Sequence, residues 1–266
     1  MAVAYDGYET LKIEKVDGIL TIWINRPERG NAMNPTMNKE FQRIWLDIDA
    51  DPEVDAIILT GVGDKFSVGG DAQTLNNPKN YDPLSKNGFR GARRAISNML
   101  QVEPPIISAI NGDAVGLGAN IALLCDVSIA VRSARIGDPH VRMGVVAGDS
   151  ACVIWPLLVG PNLAKQYLMT GDLMTAEKAE RIGLINELVE DGEAYEAALK
   201  LAKRLQRGPK LAIRWTKHAL NKMIQQQFNL AMDTSLALEQ ITLFSDDFQE
   251  ATNAFLEKRK PSFKGR

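Results

Sequence analysis

Two glycine-rich stretches constrain the fold of this chain more than any other feature: Phe66-Ser67-Val68-Gly69-Gly70-Asp71 and Asn111-Gly112-Asp113-Ala114-Val115-Gly116-Leu117-Gly118-Ala119-Asn120. Each follows an apolar, strand-like run (Ala56–Thr60 and Ile106–Ile110) and precedes a segment of helical character. Glycine lets backbone approach a ligand closely and adopt turns closed to other residues. A helix start adds unpaired N–H groups and a partial positive charge. Two such N–H groups converging on one oxygen would make an oxyanion hole. Taken singly, either stretch also reads as an ordinary strand-to-helix turn of an α/β protein.

The rest of the chain follows the same grammar. Leu11–Lys15 and Ile19–Ile24 alternate around Asp17-Gly18, which predicts a hairpin. Asn34 to Ala50 carries Phe41, Ile44, Trp45 and Ile48 at helical spacing. Leu75 to Gly91 is rich in Asn, Pro, Asp and Gly and predicts a loop, followed by a helix over Ala92–Gln101. Further helices are predicted over Ala119–Cys125, Ser150–Leu158 and Leu163–Thr170, with strands at Val127–Val131, Arg135-Ile136 and Ile185–Val189. From Tyr195 onward the chain reads as helix, broken at Gly208-Pro209. Strand-bearing units first and helices last predict an α/β core with a helical C-terminal module.

Composition excludes several function classes. At 266 residues, 45% hydrophobic and 24% charged, the chain has enough material for a large buried core. A net charge of −2 offers no footprint for nucleic acid or a membrane surface. No run approaches a membrane span, and Met1–Thr10 lacks the apolar centre of a secretory signal. The two cysteines, Cys125 and Cys152, form no disulfide framework, so a reducing, cytoplasmic setting is expected. With only two histidines, His140 and His218, a multi-histidine metal site is excluded, and no metal is expected. Gly61-Val62-Gly63 and Gly116-Leu117-Gly118 both lack the third glycine of a dinucleotide fingerprint. There is no phosphate loop, and Gly148-Asp149-Ser150-Ala151 lacks the second glycine of a nucleophile elbow.

In order along the chain, Asn25-Arg26-Pro27 with Asn31-Ala32-Met33, the two glycine stretches, Cys125-Asp126, and Ala254-Phe255-Leu256-Glu257-Lys258-Arg259-x-Pro261-x-Phe263 resemble the enoyl-CoA hydratase/isomerase (crotonase) superfamily. The resemblance covers nearly the whole chain. It implies an α/β spiral of ββα units carrying the active site over residues 1–200, and a helical trimerisation module over 201–266. It also implies a homotrimer or a hexamer built from two trimers, acting on an acyl-CoA thioester. Coenzyme A would enter as part of the substrate, with no other cofactor. The thioester oxygen would be held by the backbone N–H groups of Gly70 and Leu117, and Arg29, Val68 and Gly70 would line the CoA path.

The chain departs from its relatives where the reaction is decided. Hydratases of this superfamily hold water between two glutamates, whose positions correspond here to Asn120 and His140. Asn120 can hydrogen-bond a water or a substrate carbonyl but cannot take up a proton. His140 can, and Asp149, nine residues on, is expected to orient the imidazole so that it activates water. The alternative for Asp149 is capping of the helix at Ser150. The run Asp138-Pro139-His140 through Gly148-Asp149 and Trp155-Pro156 resembles the 6-oxocamphor hydrolase branch, which cleaves a carbon–carbon bond without CoA. Glu239 falls where that branch carries a functional glutamate. That branch has histidines in its second oxyanion loop and at the position of Asn38, and this chain has neither. Three readings follow: hydration or hydrolysis of an acyl-CoA, CoA-independent cleavage of a β-diketone, and a catalytically silent CoA-binding oligomer.

Overall fold

Alternation at the amino end produces an antiparallel hairpin, β1 (Leu11–Val16) and β2 (Ile19–Ile24), in register from Leu11↔Ile24 to Val16↔Ile19. The computed structural model describes residues 3–71, 74 and 89–266. Strands β3 (Ala56–Gly61), β5 (Ile106–Ile110), β7 (Val127–Val131) and β10 (Glu187–Val189) complete a six-stranded sheet of order β1-β2-β3-β5-β7-β10. From β2 onward every pairing is parallel. All of β3 and β5 is buried, which explains their unbroken apolar runs: a parallel sheet is covered on both faces.

A second sheet of order β4-β6-β8-β9 is built from short pieces, β4 (Lys65–Ser67), β6 (Asp113–Val115), β8 (Arg135–Gly137) and β9 (Met174–Thr175). Each repeat sends one strand to the large sheet and the next to the small one, then enters a helix. These helices are α2 (Phe89–Gln101), α3 (Leu117–Leu124) and α4 (Ala151–Thr170). The corner between the sheets is held by Asn111. Its side chain accepts from the Gly61 amide (3.1 Å) and donates to the Gly63 carbonyl (2.9 Å). The glycine stretches are therefore the segments that leave the small sheet, and both open onto one side of it.

Helix α1 (Pro35–Asp49) is capped by the Asn34 side chain and buries Met37, Phe41, Ile44, Trp45 and Ile48. The small helix α5 (Ala176–Arg181) is capped by Thr175. Helix α6 (Ala194–Gln206) packs on the large sheet, and α7 (Lys210–Thr242) and α8 (Asp246–Leu256) close the chain. Among the described residues, no helix is long and apolar enough to cross a membrane.

Several boundaries differ from expectation. The two helices predicted over 150–170 are present and follow one another directly, parted at the non-helical Gly160 (φ 77°, ψ 159°) just before Pro161. Proline supplies no N–H to the preceding turn, so the break falls there. The strand predicted over Ile185–Val189 pairs only at Glu187–Val189. The C-terminal helix has a second interruption after Thr242, where Ser245 caps a new helix through the Phe248 amide (3.1 Å). Most of the loop predicted over Leu75–Gly91 lies outside the described residues; its last three positions open α2.

Candidate active site

The two glycine stretches meet. Gly69 has φ 86°, and a Cβ there would lie 2.9 Å from the Val115 carbonyl oxygen and 3.6 Å from the Gly116 Cα. Gly116 has φ 56°, and a Cβ there would lie 3.5 Å from the His140 ring at Cε1. At Gly69 both the positive φ and the close approach disfavour a larger residue, and at Gly116 the positive φ does.

At this contact two amides are left without a backbone acceptor among the described residues. Met33 and Gly70 form a parallel bridge in which Met33 donates to the Gly69 carbonyl (2.7 Å) and Asp71 donates to the Met33 carbonyl (3.0 Å). That bridge uses the groups flanking Gly70, so the Gly70 N–H points to the opposite side. Along the second stretch, the Gly116 amide still donates to Gly137 across the small sheet (2.9 Å). Leu117 is the first residue of α3, where an N–H has no intrahelical partner.

The expected CoA-contact residues form a rim beside these amides. Val68 is 40% exposed, its amide donates to Gly30, and Arg29 is exposed at the end of the short turn Pro27–Arg29. Asp71 pairs with Arg26 at 2.9 Å. His218 is exposed on α7, and both cysteines are free.

Behind the amides lies a buried polar network. Asp138, fully buried, accepts from both the backbone amide and the Nδ1 of His140. The other ring nitrogen, Nε2, lies 3.3 Å from Asp149 Oδ2. The imidazole is thus held between two carboxylates. Asn120 joins them: its Nδ2 donates to Asp138 Oδ2 and to Asp149 Oδ1, each at 2.8 Å. Its Oδ1 accepts from Trp155 Nε1 at 3.0 Å. Asn120 is completely buried, and both of its N–H donors and one lone pair of its Oδ1 are engaged within the chain. Its side chain thus links Asp138, Asp149 and Trp155.

Asp149 precedes Ser150, which sits at φ 96° and gives α4 no side-chain cap. Strained backbone of this kind persists only where its surroundings hold it. The Asp149 carboxylate turns to His140 and Asn120 rather than to the helix end. Asp138 and Trp155 were not singled out from sequence as functional. The Asp-x-His spacing of 138 and 140, which lets one carboxylate take both the amide and the ring of the same histidine, is the signal that would have found the first.

Charge follows geometry. Burial disfavours a charged imidazole, but the Asp138 and Asp149 carboxylates outweigh it and hold the His140 pKa well above 6.5. Burial likewise opposes ionisation of Asp138, yet the His140 charge and the bonds from His140 and Asn120 keep its carboxyl below the usual range. Donor atoms of Asp138, His140 and Asp149 lie within 4.8 Å of one another, a spacing that suits a metal ion. Each ring nitrogen is already turned to a different carboxylate, so an ion binding the imidazole would have to displace at least one of these contacts.

Glu239, on α7, reaches the rear of the network. Its Oε2 is enclosed with no hydrogen-bond partner, and a Cβ on Gly148, next to Asp149, would lie 2.8 Å from it. Burial, reinforced by the Asp149 charge, pushes the Glu239 pKa up to about 8. The raised values of Glu239 and His140 have one sign: the folded state binds more protons than the unfolded state, from pH 4.5 up to about 8 for Glu239 and above 6.5 for His140. The contribution of these two groups to stability is therefore greatest below these lower limits and is lost as pH rises through the folded values. Denaturant unfolding should show a falling free energy from mildly acidic to mildly alkaline pH. Glu239→Gln should flatten that slope; an unchanged slope would show that Glu239 titrates normally.

In front of Asp149 is a cavity of about 70 Å³ lined by Met33, Asn38, Phe41, Leu117, Ile121 and Met232, among others. Leu117, the first residue of α3, and Asp149 both line it. A larger cleft of about 460 Å³, at Lys12, Trp23, Thr60 and Tyr195, is lined by none of the network residues.

Comparison with known proteins places nearly the whole chain in one family. Residues 14–266 match the model of the family described as "Enoyl-CoA hydratase/isomerase". The chain is 34% identical to a crotonyl-CoA hydratase of Syntrophomonas wolfei, covering 97% of this chain and 98% of that one. It is 36% identical to a short-chain-enoyl-CoA hydratase of Clostridium acetobutylicum, covering 96% and 97%. Among solved structures, an enoyl-CoA hydratase/isomerase from Mycobacterium paratuberculosis superposes with a TM-score of 0.88 at 30% identity, covering 94% of this chain and 99% of that one.

Proposed function

Since the chain belongs to the enoyl-CoA hydratase/isomerase family, we propose that it adds water to a 2-enoyl-CoA through an enolate whose oxygen is held by the Gly70 and Leu117 amides. The observation that carries this reading is the contact of the two glycine loops, which leaves two unpaired N–H groups beside a carboxylate-flanked histidine. Donors already in place where negative charge develops lower the barrier without reorganisation.

The acid–base roles follow from the charge on His140. An imidazolium has no lone pair with which to accept a proton. Asp149, which faces the cavity, is therefore the group that takes the proton from water as its oxygen bonds to the β-carbon. The same proton is then delivered to the α-carbon as the enolate collapses, so that one water is added across the double bond. His140 balances charge at Asp149, and Asp138 and Asn120 fix both in position. Glu239, carrying its proton at neutral pH, adds no second negative charge behind Asp149. Arg29, Val68 and Gly70 form the proposed path for coenzyme A, which arrives with the substrate; no other cofactor is called for. Exposed Trp215, Leu230, Ile241 and Phe244 are the apolar surface that a homotrimer or hexamer would cover.

The test is turnover of crotonyl-CoA followed across pH. A charged His140 predicts a rate with no histidine inflection near 6.5 and a decline only at alkaline pH. A rate that climbs through 6.5 would restore the neutral imidazole as the base. Calorimetry with free CoA separates the alternatives: no binding favours the β-diketone hydrolase, and binding without turnover favours a silent oligomer.

A further inference from the structure

The cavity in front of Asp149 is apolar on most of its wall, through Met33, Phe41, Ile96, Ile121 and Met232, yet α1 contributes two carboxamides to it, Asn38 and Gln42. They lie one turn apart on the helix, beside the stripe of Phe41, Trp45 and Ile48 that enters the core. Gln42 donates through Nε2 to the Asn38 carbonyl (3.1 Å) and is packed against Gly91 of α2, where a Cβ would lie 2.7 Å from that nitrogen. The Asn38 side chain makes no hydrogen bond among the described residues, although the residue is partly buried. A carboxamide in an apolar wall is costly unless something pairs with it.

We infer that Asn38 is a specificity-determining residue that pairs with an oxygen on the acyl group, so that the preferred substrate is an acyl-CoA carrying a carbonyl or hydroxyl beyond the reacting double bond. This rests on the acyl-CoA reading above. Leu117, whose amide would hold the thioester oxygen, Asp149 and the α1 carboxamides all line this one cavity. An acyl chain with its reacting carbons at Asp149 would then have its remoter atoms within the same walls as Asn38. A hydrocarbon tail packed against the carboxamide would displace water from it and offer no partner, whereas a tail with one oxygen satisfies it. Sites built to hydrogen-bond a substrate group discriminate strongly against analogues that lack it.

The experiment compares hex-2-enoyl-CoA with 5-oxohex-2-enoyl-CoA and 5-hydroxyhex-2-enoyl-CoA, matched in chain length. The expected result is a kcat/KM at least about ten-fold higher for one or both oxygenated thioesters, and a ratio falling to about one in Asn38→Leu. Turnover of all three at equal kcat/KM, or a preference that survives Asn38→Leu, overturns the inference and leaves the hydratase reading standing. Turnover of none by the unaltered protein overturns both. Should Asn38→Leu fail to fold, calorimetry of the unaltered protein with the saturated hexanoyl-CoA and 5-oxohexanoyl-CoA decides: tighter binding of the oxo compound is expected, and equal binding refutes it.

Discussion

Asp149→Asn is expected to lower kcat on an enoyl-CoA by about 10²–10⁴-fold, the usual range for a positioned acid or base. Asparagine keeps the size of the side chain but cannot take a proton from water. It also disturbs the network, because Asn120 already offers its Nδ2 to this position at 2.8 Å, and one face of the new amide offers only another N–H. KM should change little, since the proposed contacts to coenzyme A lie on the rim at Arg29, Val68 and Gly70. Steady-state kinetics with a thermal melt decides the matter. A rate within ten-fold of the parent, with a lowered melting temperature, would make Asp149 a structural residue and return attention to His140.

Gly69→Ala should be comparably severe for a different reason. The new methyl would sit 2.9 Å from the Val115 carbonyl, on backbone at φ 86° that alanine rarely adopts. One loop has to move, and the two amides then no longer converge on one oxygen. Removing a single oxyanion donor costs about 10²–10³ in kcat, and spreading the pair should cost at least that much. Gly69 donates no bond to substrate in this reading, so full activity in Gly69→Ala would show that the loops need not touch. Circular dichroism separates a displaced loop from an unfolded chain.

How much of this was legible in sequence depends on the range of the interaction. The hairpin at Asp17-Gly18, the strand Ile106–Ile110 and the helix that starts at Asn34 rest on neighbours a few residues apart, and the structure has them where periodicity and turn residues put them. The interruption after Thr242 was not legible, because neither proline nor glycine marks it; Ser245 becomes a cap only in its folded setting. Within the site, the residue types at 120, 140 and 149 were legible as a departure from a two-glutamate pattern. Their division of labour was not. Spacing gave no sign that the Asn120 amide bonds two aspartates and Trp155.

The sequence by itself determined the alternation of strands and helices, the two glycine stretches that end short strands, and the family to which such an order belongs. These depend on side-chain periodicity and on the conformations open to glycine, which are local properties. Only the tertiary structure decided that the stretches touch at Gly69 and Gly116, and that His140 lies between Asp138 and Asp149. The charge state of a half-buried imidazole is set by which carboxylates stand within a few ångströms of it. No reading of spacing along the chain contains that distance.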